Sequence, residues 1–240
     1  MCVSILLPIY NTKPDYFQEC LDSIYNQTFS KPMELVIIND GSSSSNSHQY
    51  ETIIQFGKEA HPTLSIILFT LPKNKGIQYA LQYGLEKCSY EIVARMDADD
   101  IMKPNRLQLQ WQILTQYPDI VVLGGQCEIM NERTRIINYT TSHPKIITKD
   151  YVKRNSQKHW WINHPTVMYR KSIILKVGGY NQSLQGHSED MYLWLSLLRQ
   201  GYSLHNCPNI VLTYRDCPGS LSHNFKYNIK EDINQWIQEL

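Results

Sequence analysis

The sequence predicts an α/β protein built on a mostly parallel, mixed sheet with helices on both faces. Three observations carry that prediction. Short apolar runs fall at 3–9, 34–39, 64–71, 91–96 and 120–130. Segments of helical period lie between them, and alternating strands and helices of this length imply right-handed crossovers between parallel strands. The runs are continuously apolar instead of alternating, as in strands buried on both faces. At 240 residues the chain is large enough for one domain with a substantial core.

Each element follows from local chemistry. The opening run, Val3-Ser4-Ile5-Leu6-Leu7-Pro8-Ile9, breaks into a loop at Tyr10-Asn11. A helix over 14–27 has Pro14 at its first position and Phe17, Leu21, Ile24 and Tyr25 near helical spacing. The second strand ends at Asn39-Asp40-Gly41, and the serine-rich stretch 42–47 reads as a loop leading to a helix N-terminus. Ile77, Ala80, Leu81, Gly84 and Leu85 make one stripe of a helix over 76–87, and Leu107, Trp111 and Leu114 do so over 104–116. After residue 130 the rhythm loosens. A polar stretch, 131–158, precedes Trp160-Trp161, which reads as core, acceptor platform or membrane-touching edge. A strand-like run follows at 165–169. A helix over 189–200 carries Leu193, Trp194, Leu197 and Leu198, an extended run covers 202–214, and a helix covers 229–240. In open α/β sheets ligands sit at the carboxyl ends of strands, which is where Asp40 and Asp97 fall.

Bulk properties exclude several classes. Twenty-three basic and 22 acidic residues nearly cancel, so nothing recommends a nucleic-acid groove or a strongly anionic membrane surface. No apolar run reaches the roughly 18 residues of a membrane span, although peripheral membrane contact stays open. The opening strand lacks a basic leader and is not expected to be a signal peptide. The six cysteines show no CxxC or zinc spacing and read as reduced residues of a cytoplasmic protein. Three matches to the glycan-acceptor pattern, at Asn26, Asn138 and Asn181, are then chance matches. Neither GxGxxG nor GxxxxGK[ST] occurs, against a dinucleotide oxidoreductase or a P-loop NTPase.

The chemistry concentrates in Asp97-Ala98-Asp99-Asp100, delivered by the run Glu91 to Met96. Ionised carboxylates stay buried only beside a counter-charge. On extended backbone Asp97 and Asp99 point to the same side and suit one hard cation, Mn2+ or Mg2+. The competing reading is a polar strand exit in which an Asp caps the next helix. Arg95 reads as an orienting group or as the buried counter-charge. Farther on, Glu189-Asp190 opens a helix, where acidic residues also favour the helix dipole.

Taken in order, these segments resemble family 2 glycosyltransferases, inverting enzymes with the GT-A fold. The match runs through Asn39-Asp40-Gly41-Ser42, Asn74-Lys75-Gly76 and Ala94-Arg95-Met96-Asp97-Ala98-Asp99-Asp100. It continues through His164-Pro165-Thr166-Val167-Met168-Tyr169-Arg170-Lys171, Gly178-Gly179-Tyr180, Glu189-Asp190 and Leu212-Thr213-Tyr214-Arg215. The resemblance implies a single GT-A domain over 1–240, with a nucleotide-sugar half to about residue 100 and an acceptor and catalytic-base half beyond it. It implies a nucleotide-sugar site of Pro8, Tyr10, Asn11, Asp40, Asn74, Gly76, Arg95, Asp97 and Ala98, with Asp40 on the base, uracil by preference. Asp99, with Asp97, becomes the ligand of Mn2+ or Mg2+, and Asp190 the catalytic base. Glu189, His164, Gly179, Trp194 and Arg215 become contacts of acceptor or diphosphate, with His187 a further candidate. The substrates implied are a UDP-sugar and a glycan or lipid-linked acceptor, in polysaccharide, lipopolysaccharide or capsule assembly. No QxxRW signature accompanies these motifs, so one sugar per encounter is expected.

Two departures stand out. Leu81 and Gln82 replace an Arg and an Asn common in relatives, and Cys217 stands where many carry His. They keep a second reading open, a catalytically degenerate nucleotide-sugar-binding module. A sugar nucleotidyltransferase is the third, though it would usually show a glycine-rich basic loop near the N-terminus.

Overall fold

In the computed structural model, residues 2–155, 161–182, 189–218 and 228–240 are described, the side chains of 228–232 excepted. The opening run forms β1 (Val3–Ile9), all seven residues buried. It pairs in parallel with β2 (Met33–Asn39) on one side and β4 (Ile92–Arg95) on the other, while β3 (Ser65–Thr70) lies beyond β2. Helices α1 (Pro14–Tyr25), α2 (Ser44–Ala60) and α3 (Ile77–Lys87) make the crossovers between these strands.

Period-2 geometry explains why β1 is apolar throughout. Val3, Ile5, Leu7 and Ile9 face a core shared with Phe17 and Leu21 of α1 and Ile54 of α2. Leu107 and Leu114, from α4 (Arg106–Gln116), close the same layer. Leu6 faces the opposite core, with Val36, Ile38, Ala80, Leu81 and Leu85. Gly84 lets α3 lie close on that face, since a Cβ there would come within 2.3 Å of Leu6 Cδ1.

Beyond β4 the sheet becomes mixed. β9 (Met168–Arg170) runs antiparallel between β4 and β6 (Val122–Asn131), and β10 (Leu204–Asp216) is parallel to β6. β5 (Ile101–Met102) and β8 (Ile146–Ile147) pair with β10, and β7 (Ile137–Thr140) pairs with β6. The strand order is β3-β2-β1-β4-β9-β6-β10-β5, one sheet of ten strands with β7 and β8 off the main path. The helices of this half are α5 (Lys149–Arg154), α6 (Lys171–Lys176), α7 (Glu189–Arg199) and α8 (Asn228–Gln238). Leu193, Trp194, Leu197 and Leu198 of α7 join the α3-side core as their spacing predicts.

The polar stretch 131–158 is more ordered than its composition suggests, since β7, β8 and α5 all lie in it. Backbone pairing to β6 and β10 supplies what the weak apolar pattern does not. The run 165–169 splits into a 3-10 turn (His164–Thr166) and β9. Trp161 is core, 1% exposed; Trp160 lies outside the described residues.

Candidate active site

Three loops at the carboxyl ends of the parallel strands carry the predicted donor residues. Pro8 is buried in β1, and the chain turns at half-exposed Tyr10 and at Asn11, which has a φ of 49°. The Asn11 side chain accepts from the Ser43 backbone N–H at 2.9 Å, and its own N–H donates to Ser42 Oγ at 3.0 Å. The β1 exit is thereby tied to the start of α2.

Asp40, 3% exposed, forms no Asx-turn with Gly41. Its carboxylate instead holds the loop before α3. It accepts from Asn74 Nδ2 at 2.9 Å, from the Lys75 N–H at 2.8 Å and from the Gly76 N–H at 2.9 Å. Burial raises its pKa while the Lys75 and Gly76 donors pull it back. Gly41 and Gly76 have φ of 67° and 90°, and a Cβ on Gly41 would lie 2.3 Å from the Lys73 carbonyl carbon. Gly41 is therefore required by both conformation and close approach.

The acidic loop begins where β4 ends. Arg95 is 3% exposed, and its Nη1 meets Asp97 Oδ2 at 2.5 Å, the counter-charge role. Ala98 is buried. The Asp99 carboxyl is pushed up to about 6, first by burial and then by the charge of Asp97. Asp100 does not cap α4, whose N-cap is Asn105. It is fully buried, and its Oδ1 accepts the Arg215 backbone N–H at 2.9 Å, fastening β10 to the loop. Burial and its two Asp neighbours raise its pKa strongly.

Arg215 is 1% exposed and buttresses the same loop. Its Nε donates to the Asp99 carbonyl at 2.8 Å, its Nη2 meets Glu19 Oε2 at 2.5 Å, and its guanidinium lies 4.0 Å from the Tyr16 ring centre. Cys217, two residues on, is half-buried, its thiol raised to about 11 by burial and then by Asp99.

The acid loop fits a divalent cation on its own chemistry. Asp100 Oδ2 is buried with no hydrogen-bond partner among the described residues. Asp99 is held above the usual carboxylate range first by burial and then by the charge of Asp97, which Arg215 and Arg95 only partly offset. Added positive charge on oxygen ligands relieves that excess, and Asp97 with Asp99 is the pair that would hold it. Among the described residues no three His, Cys, Asp or Glu side chains converge as a complete ligand set.

The predicted base lies at the start of α7. Asp190 is partly exposed, and its Oδ1 accepts the Met191 N–H at 2.7 Å. Its carboxyl is raised to about 6 by burial and then by Glu189, while His164, the Met191 N–H and Arg95 act the other way. His164 is 6% exposed and neutral, its pKa lowered to about 3 by burial and then by Arg95. Its Nε2 lies 2.9 Å from the Tyr180 hydroxyl and its Nδ1 3.6 Å from Glu189 Oε1.

Two predicted contacts are corrected by burial. Trp194 is 1% exposed and packs edge-on to the His164 ring at 5.7 Å, so it is core beneath the base and not a sugar platform. His164, enclosed between Tyr180, Glu189 and Trp194, supports the helix start and does not face an open cleft. Gly179, φ 63°, lies against Gln82, whose Oε1 accepts the Tyr180 N–H at 2.9 Å. The departure at Gln82 therefore supplies an amide that ties α3 to this loop. Leu81 is core. His187 lies outside the described residues.

Sequence reasoning missed Arg106 and Glu19. Arg106 is fully buried, donates to the Arg95 carbonyl at 2.8 Å and the Val167 carbonyl at 3.2 Å, and has its pKa lowered to about 9 by burial and then by Arg95. An Arg next to the apolar stripe of a helix was the available signal; Glu19 offered none, because its partners Arg135 and Arg215 are more than a hundred residues away. A surface concavity near 570 Å3 between His48 and Leu68 lies along α2 and β3, and none of these carboxylates lines it. The site is defined by chemistry and not by size.

Comparison with known proteins bears on the family and the fold. The family model described as glycosyl transferase family 2 matches residues 4–178. A UDP-Gal:alpha-D-GlcNAc-diphosphoundecaprenol beta-1,3-galactosyltransferase of Escherichia coli is 33% identical over 217 residues, 88% of this chain and 73% of that protein. S. aureus TarS 1-349 in complex with UDP-GlcNAc superposes with a TM-score of 0.73 at 17% identity, over 99% of this chain and 65% of that one. The mannosyltransferase PcManGT of Pyrobaculum calidifontis, solved with GDP-Man and Mn2+, gives 0.68 at 18% identity over 95% and 60%. The mostly parallel central sheet flanked by helices is the fold of GT-A glycosyltransferases.

Proposed function

The chain belongs to glycosyl transferase family 2, and from that premise we propose that it moves one sugar from a UDP-sugar to a hydroxyl of a glycan or lipid-linked acceptor by single displacement with inversion. The observation that carries the reading is that two under-compensated acidic centres act on one buried guanidinium. Arg95 is bonded to Asp97 at the donor end, and its charge acts on Asp190 at the other. A donor phosphate group and an acceptor hydroxyl need such centres near each other but chemically distinct.

The roles follow from the contacts. Residues to about 100 hold the nucleotide sugar, with Asp40, Asn74 and Gly76 forming the rigid wall on the base side and Pro8, Tyr10 and Asn11 the β1 lip. Asp97 and Asp99 hold Mn2+ or Mg2+, which when bound neutralises charge developing on the departing diphosphate. Arg215, through the Asp99 carbonyl, keeps that loop in place. Asp190 takes the acceptor proton; a carboxyl near 6 is ionised at neutral pH yet basic enough to accept it. The lipid-linked acceptor of the E. coli relative supports that acceptor class here. Among the described residues no helix is long and apolar enough to cross a membrane.

The test is turnover of a panel of nucleotide sugars, UDP-galactose and UDP-N-acetylglucosamine included, with Mn2+, with Mg2+ and with chelator. Metal-dependent release of UDP from one donor is expected. Donor binding without turnover on any acceptor would leave the binding-module reading in its place.

A further inference from the structure

The base sits on a chain of buried polar side chains that allows one consistent direction of hydrogen bonding. Tyr169, in β9, places its hydroxyl 3.4 Å from that of Tyr180, which lies 2.9 Å from His164 Nε2. His164 Nδ1 faces Glu189 Oε1 at 3.6 Å, and Glu189 is the immediate neighbour of Asp190. Tyr169, Tyr180, His164 and Glu189 are all buried. An ionised carboxylate only accepts, so the proton of a neutral imidazole facing it belongs on Nδ1. Nε2 is then an acceptor, the Tyr180 hydroxyl must donate to it, and its oxygen is left to accept from Tyr169. The opposite tautomer would set two lone-pair groups against each other in a buried site.

We propose that His164 and Tyr180 are a positioning pair for the catalytic carboxylate: the facing Glu189 keeps His164 in its Nδ1–H tautomer, the Tyr180 hydroxyl donates to Nε2 and pins the ring, and the Nδ1–H holds Glu189 beside Asp190. The proposal rests on the reading of Asp190 as base. It gives a task to a buried histidine enclosed by Tyr180, Glu189 and Trp194. The 3.6 Å separation is a contact and not yet a hydrogen bond, of the kind that shortens when a substrate closes the site. The charged and titratable groups facing this chain are Arg95 and Asp97 from the β4 exit, Cys88 at the end of α3, Tyr169 from β9, and Glu189 with Asp190 from α7. Gln82 fixes the far end by accepting the Tyr180 N–H.

The experiment reads the tautomer directly. Ring 15N shifts of the histidine-labelled protein, with the His164 signals identified by their loss in His164→Asn, are expected to show neutral Nδ1–H between pH 5 and 8. Tyr180→Phe is expected to keep the proton on Nδ1, whereas Glu189→Leu, which removes the facing acceptor, is expected to release the ring to Nε2–H. A wild-type Nε2–H ring or an imidazolium at pH 6 would overturn the proposal, and this arm needs no substrate. The second arm measures hydrolysis of UDP-galactose. His164→Leu should lower kcat about 10- to 100-fold with little change in donor KM, the scale of a misplaced catalytic group. His164→Asn, which presents an N–H near the Nδ1 position, should restore most of that loss. Equal impairment of the two variants beside an inactive Asp190→Asn overturns the positioning pair alone. A fully active Asp190→Asn overturns the base reading and the pair with it.

Discussion

Asp40 and Asp190 are the same residue in two opposite situations. Asp40 is deeply buried, yet three donors from one short loop converge on its carboxylate, so the charge is spent on building structure. Asp190 has one backbone donor and an acidic neighbour, and Asp99 has an acidic neighbour of its own. Both of the latter are raised to about 6. A saturated carboxylate organises a loop; an under-satisfied one remains available to a proton, a cation or a substrate. The contrast separates the residues that shape the donor wall from those that would run the reaction.

The largest test of that contrast is Asp190→Asn. Loss of a general base removes about 10²–10⁴-fold of rate, while donor affinity should stay near that of the wild type. The same change should stabilise the fold at pH 8, because a carboxyl whose folded pKa is raised costs the folded state stability as pH climbs from its unfolded pKa to about 6, and the full cost persists above that. A gain on the order of 2 kcal/mol is expected, visible as a higher Tm. A lower Tm at pH 8 would contradict the under-satisfied picture.

Asp99→Asn should abolish the upward Tm shift that Mn2+ gives the wild-type protein, and should cut metal-dependent turnover by about 10²-fold or more. Because Asp99 must ionise to bind a cation, that Tm shift should be full above pH 7 and fade below about 6. A shift that survives in the variant would place the ion elsewhere.

Asp40→Ala should behave in the opposite way, losing about 1–3 kcal/mol of stability as the Asn74–Gly76 loop loses its acceptor, with donor affinity falling alongside. Chemical denaturation and UDP titration measure the two losses, and an intact Tm would show the loop to be held by other contacts. The smallest effect is in pH. With saturating donor, turnover should fall tenfold per unit below about pH 6 as Asp190 takes up its proton. A flat profile down to pH 5 would remove Asp190 as the titrating group.

Much of this was legible in the chain. The continuous apolar runs of β1, β2 and β4 could only be strands covered on both faces, and α1, α3, α4 and α7 announce themselves by the spacing of their core residues. Asp40, Asp97 and Asp99 stand out as acids at the ends of apolar segments, while Asp190 is legible only through the family resemblance. The antiparallel insertion of β9 between β4 and β6 had no such signal, because three residues carry no readable period. Nor did the Asp100 role: an Asp before a helix reads as a cap until a strand more than a hundred residues away donates to it.

Local periodicity and the order of the acidic motifs therefore set the fold class, the position of the carboxylates at strand ends and the family. Which carboxylate is saturated, which is stranded beside a like charge, and which arginine answers it were decided only by tertiary packing. Arg95 with Asp97 is a neighbour pair that sequence could suggest, whereas Arg215 reaches Glu19 and Asp100 across the whole chain. Electrostatic environment depends on distances through folded space and on the water that folding removes, and neither is written in the spacing of residues along a chain.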